Sequence, residues 1–127
     1  MTMAYWCVLV AGLLPFVWTS AAKFSGRGFP LRYNHNPREF LEGLDGLRKR
    51  AHWAQLNAFE AFPFFAAGVI ISHLAGASQS LINGIAIAYV VLRVLHGVFY
   101  VLDKATLRSV VWFAAQGCVI ALFVSAA

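Results

Sequence analysis

The chain has 127 residues, enough for one domain and too few for two. It is 61% hydrophobic and only 12% charged, about half the charged share of an ordinary soluble domain, so the composition excludes a water-soluble fold and places the chain in a membrane. The formal net charge of +5 raises the question of nucleic acid, and the positions of the cations answer it.

In chain order, the first apolar segment covers residues 3–22 and carries no charge; its first cation, Lys23, comes after it. A secretory leader begins with a basic stretch. None precedes this run, so TSAA at 19–22 reads as the end of a retained span inserted N-terminus out. Residues 23–49 form a long polar loop, punctuated by Gly26, Gly28, Pro30 and Asn36-Pro37. Pro37 is placed to open a short helix with Asn36 as its cap. Three more segments reach the roughly 20 residues that a bilayer requires: 50–74, 81–102 and 107–126. They are joined by the short sequences AGASQS and DKAT. The expected architecture is a single all-α domain over residues 1–127, an integral membrane four-helix bundle with up-down topology.

Lys23, Arg27, Arg32, Arg38, Arg48, Lys49 and Arg50 lie in or beside the first loop, and Lys104 and Arg108 flank the last join. Positive loops stay cytoplasmic, which puts both termini on the non-cytoplasmic side. The basic balance is therefore topological, with attraction to anionic membrane lipids, and no basic helix is left free to meet a duplex: nucleic acid is not an expected partner. Cys7 and Cys118 sit in apolar segments and read as small buried hydrophobes. No Cys/His cluster has zinc spacing, so no metal site is expected. Trp6, Trp18, Trp53 and Trp112 fall near span boundaries, as an aromatic belt does. His35 reads as solvated, and His52 and His73 as interfacial.

Ionisable groups inside spans are rare and tend to be functional or paired. In the second span, Arg50, Trp53, Asn57 and Glu60 are spaced three, four and three apart; Arg93, His96, Tyr100 and Asp103 repeat that spacing in the third. Each set forms one helical stripe. A short turn makes the two helices antiparallel, and reversing one stripe against the other pairs Arg50 with Asp103, Trp53 with Tyr100, Asn57 with His96 and Glu60 with Arg93. The expectation is a polar seam opening toward the cytoplasm. Pro63, just beyond Glu60, removes a backbone donor and favours a kink. A donor-rich seam suits a small anionic ligand; ion pairs that only assemble the bundle are the alternative.

RAHWAQLNAFEAFPFF (50–65), with Arg50, Asn57, Glu60 and Pro63, resembles the second-helix signature of the MAPEG superfamily, the membrane-associated proteins of eicosanoid and glutathione metabolism. RVLHGVFY (93–100) resembles the family's third-helix motif. The resemblance covers nearly the whole chain and implies a homotrimer that binds glutathione as co-substrate between subunits, with a lipophilic small-molecule substrate arriving from the bilayer. Residue by residue, it implies that Arg50, Gln55, Asn57, Glu60 and Tyr100 contact glutathione. Arg93 and His96, from the same seam, complete the candidate binding set. Arg108 resembles the arginine that stabilises the thiolate in some members. A free thiol ionises near pH ~8.5, and an adjacent arginine favours the nucleophilic thiolate. Ala61 stands where some eicosanoid members carry tyrosine, and Trp53 where leukotriene C synthase carries arginine. These departures turn the expectation toward a bacterial-type member, in an inner membrane, with glutathione transferase or peroxidase activity. A non-enzymatic protein whose seam only directs packing or trimer assembly is the competing reading; a proton-coupled carrier is weaker, since no transporter-type repeat is visible.

Overall fold

The computed structural model describes all 127 residues, and every regular element is helical. The elements are α1 (Met3–Phe24), a 3-10 turn (Leu31–His35), α2 (Pro37–Glu42), α3 (Gly46–Leu74), α4 (Gln79–Val101) and α5 (Ala105–Ser125). Four of the helices are long and apolar enough to cross a membrane.

Small residues at helical spacing set the packing. The buried face of α1 includes Ala4, Cys7, Ala11, Leu14, Trp18 and Ala22; that of α3 includes Ala51, Ala54, Ala58, Gly68 and Ser72. In lipid, burial of apolar area does not drive helices together, so close approach and interhelical hydrogen bonds must do so. Ser72 supplies such a bond, donating to the Leu122 carbonyl of α5, while Ser125 donates to Ser72 at 3.2 Å. Phe65 and Tyr89 stack at 3.9 Å in the centre of the bundle. The outward faces, among them Leu9, Leu13, Phe16, Val91, Phe113 and Ile120, are apolar and exposed, as a lipid-facing surface is.

Contacts fix the alternation of the helices. At one end, the Ala4 amide donates to Asn83 Oδ1, beside the Ser72–Leu122 contact. At the other, Arg48 binds the carbonyls of Ala22, Lys23 and Gly28, and Arg50 Nε donates to the Val101 carbonyl. Both termini thus lie at one end and the long loop at the other. Arg48 meets the orphan carbonyls at the end of α1, where a cation also complements the helix dipole.

The expected spans are all present; four ends extend outward by two to four residues, two draw in by one, and two stand where expected. The largest shift is at α3, which starts at Gly46 rather than residue 50; its first turn, Gly46-Leu47-Arg48-Lys49, is too polar to show in a hydropathy pattern. The short loop helix begins at Pro37 as expected, but Asn36 does not cap it: its side chain bonds the Glu39 carboxylate instead. α3 continues as a helix through Pro63. Two tryptophans depart from the belt reading. Trp18 is buried between α1 and α4, and Trp112 faces a cavity; Trp6 is exposed as a belt residue should be.

Candidate functional site

The seam between α3 and α4 exists, with one of the four expected pairs in place. Trp53 and Tyr100 face each other, with ring centroids 6.5 Å apart. The other three expected pairs are replaced. Arg50 bonds the Val101 carbonyl rather than Asp103. Asp103 is instead a backbone device: it has φ +59°, and the amides of Asp103 and Lys104 reach back to the carbonyls of Tyr100 and Phe99, closing α4 in a Schellman motif. Arg93 Nη2 donates to Asn57 Oδ1 at 2.7 Å, taking the partner expected for His96. His96 packs edge-on against Tyr100, ring centroids 5.6 Å apart.

Glu60 therefore has no guanidinium partner, because Arg93 bonds Asn57, one turn earlier on α3. Glu60 is seven residues, about 700°, beyond Trp53, so the two lie within roughly 20° of each other on the same exposed side of α3.

There Glu60 joins two adjacent hollows. The first, about 380 Å³, is lined by Trp53, Leu56, Asn57, Glu60 and Tyr100. The second, about 190 Å³, is the more enclosed; Asn57, Glu60, Ala61, Phe64, Trp112 and Gln116 line it, between α3 and α5. Asn57 and Glu60 form the ridge common to both. From the second hollow, Phe64 and Gln116 lead into an apolar groove walled by Val119, Ile120 and Phe123, which ends at Ala127. A polar cleft near the loop end thus continues as a greasy channel toward the termini.

Of the eight candidate site residues, Asn57, Glu60 and Tyr100 line the cleft. Arg108 stands at its rim, its guanidinium 4.4 Å from the centre of the Tyr100 ring. Arg93 and His96 are buried behind the wall, each 3% exposed. Arg50 is engaged at the loop end, and Gln55 Oε1 meets His52 Nδ1 at 3.3 Å, away from the lining. Sequence reasoning missed Leu56, Trp112 and Gln116. Gln116 had a readable signal, an amide in the middle of an apolar span. Leu56 had none.

The set can bind a small zwitterionic or anionic ligand. Glu60 accepts from an ammonium, Asn57 and Tyr100 offer hydrogen bonds, and Arg108 brings a fixed positive charge to the mouth. The sequence profile described as MAPEG family matches residues 3–127. No curated protein and no solved structure matches the chain.

Proposed function

Because the chain belongs to the MAPEG family, we propose that it is a membrane-bound glutathione-dependent enzyme, a transferase or peroxidase acting on hydrophobic electrophiles or lipid hydroperoxides. The observation that carries this reading is the join of a carboxylate- and amide-lined cleft to an apolar groove. One co-substrate must be polar and charged, the other lipophilic, and the two hollows meet at Asn57 and Glu60.

In this reading Glu60 accepts the glutathione ammonium and Asn57 and Tyr100 hold its carboxyl and amide groups. Arg108 stabilises the thiolate through its charge. In transfer, the thiolate attacks an electrophilic carbon, a C–S bond forms, and the leaving group departs with the bonding pair. In peroxide reduction, the thiolate attacks the terminal hydroperoxide oxygen, the O–O bond breaks, and the alkoxide takes up a proton and leaves as the alcohol; a second glutathione thiol then displaces the hydroxyl of the resulting sulfenic acid as water, giving the disulfide. The proposed assembly is a homotrimer in a bacterial inner membrane, with neighbouring subunits closing the open side of the cleft.

The test is direct. Purified protein in detergent is titrated with glutathione, following affinity and the thiolate absorbance band. Binding with a rise in that band is expected for the wild type, and binding without the rise for Arg108→Ala. No binding by the wild type at millimolar glutathione overturns the reading. An assembly-only role has its own support in the bonds of Arg50 and Arg93 across the α3–α4 seam, and that result would favour it.

A further inference from the structure

Arg93 is buried, yet its Nη1 is fully enclosed and has no hydrogen-bond partner. A buried guanidinium nitrogen left unpaired is costly, and a group that serves only packing would be expected to find an acceptor. Its other terminal nitrogen makes one bond, to Asn57 Oδ1 at 2.7 Å. Arg93 lines neither hollow, whereas Asn57 lines both.

That single bond determines the chemistry of the cleft wall. Arginine only donates, so the Asn57 atom it meets must be the amide oxygen. The Nδ2 group is then left as the free end of the amide, and no acceptor in the protein meets it. Flipping the amide would set two donors against each other beside a buried cation. Without Arg93, the amide would be free to present either end.

We propose that Arg93 is a positioning residue: it acts through Asn57, locking that amide so that the cleft presents an NH2 donor next to the Glu60 carboxylate acceptor. The cleft then carries a fixed donor–acceptor pair one helical turn apart, which selects a ligand bearing a carboxylate or carbonyl beside an ammonium. This assignment rests on the glutathione reading for the identity of the ligand, and on the Arg93–Asn57 bond alone for the locking.

The experiment compares Arg93→Met, Arg93→Lys, Asn57→Ala, Asn57→Asp and the double variant Arg93→Met/Asn57→Ala in glutathione affinity and melting temperature. Asn57→Asp keeps an oxygen for Arg93 but turns an acceptor toward the ligand. It is expected to melt no lower than wild type while binding glutathione at least about tenfold more weakly. Arg93→Met is expected to weaken binding in the wild-type background and to add nothing, within about twofold, once Asn57 is alanine. Arg93→Lys, which keeps a donor, should recover part of the loss. Full affinity in Asn57→Asp, or a further loss of about fivefold or more from Arg93→Met in the Asn57→Ala background, overturns the proposal; the second result would make Arg93 a direct contact. If the wild type binds no glutathione, the glutathione reading falls, and the locking is decided without ligand. The Asn57 side-chain amide resonance, assigned by its loss in Asn57→Asp, should then shift on Arg93→Met. A resonance unmoved by that change overturns the locking.

Discussion

At Gly97 the bundle has no room for a methyl group. A Cβ there would stand 1.9 Å from Trp18 Cζ2, so the indole of α1 packs directly against the bare backbone of α4. Gly97→Ala should destabilise the fold by about 1–3 kcal/mol, read as a lower melting temperature in detergent, and Trp18→Leu in the same chain should recover part of the loss. Asp103 is a residue whose apparent role changed. In the sequence it is the one carboxylate near the seam's mouth, and charge matching assigns it to Arg50. In the fold it occupies the left-handed conformation that ends α4, one that aspartate tolerates and glycine adopts freely. Asp103→Gly should therefore raise stability by about 0.5–1 kcal/mol in chemical or thermal unfolding, whereas a lost ion pair would lower it. The charge was legible in the sequence; the backbone angle at which the residue ends α4 was not.

The helices themselves were legible because four apolar runs of spanning length leave few other architectures open in lipid. Their ends were less so. Hydropathy stops at the last greasy residue, while hydrogen bonding runs on into the polar turn, as at Gly46–Lys49 of α3. Arg48 lies in that hidden turn. From composition it is one of seven cations that mark a cytoplasmic loop, yet its guanidinium gathers three carbonyls at and beyond the end of α1, at 2.7–2.8 Å. The planar fork of arginine reaches several acceptors at once, and a lysine ammonium at the same place cannot reproduce its geometry. Arg48→Lys preserves the topological charge and should still cost about 1–3 kcal/mol, with faster amide exchange confined to the last turn of α1 and residues 25–30. Unchanged exchange there would leave Arg48 as a topology signal only. The polar stripes were likewise half readable. Spacing identified which residues share the seam, and Trp53 does face Tyr100, but it did not show that Arg93 bonds Asn57 and leaves Glu60 exposed beside Trp53.

The exposure of Glu60 matters most for the molecule as a whole. Glu60 is the midpoint of the 29-residue α3 and is exposed on the protomer's surface, together with a ridge that includes Asn57. Elsewhere the outward surface is apolar and suited to lipid. A carboxylate at such depth costs several kcal/mol when it meets hydrocarbon unpaired, so a lone protomer in a bilayer is an incomplete structure. Two kinds of cover satisfy it, a bound ammonium ligand or a neighbouring subunit, and they predict opposite signs for one substitution. Where Glu60 exists for the ligand, Glu60→Leu removes from the empty protein the cost of a carboxylate held at the depth of the hydrocarbon. Melting temperature should then hold or rise while glutathione affinity is lost, the trade of stability against function expected of a binding site. Where Glu60 instead holds subunits together, Glu60→Leu should lower the melting temperature and shift native mass from trimer toward monomer. The proposed enzyme predicts the first outcome: a trimer that survives Glu60→Leu, melts no lower than wild type, and no longer binds glutathione.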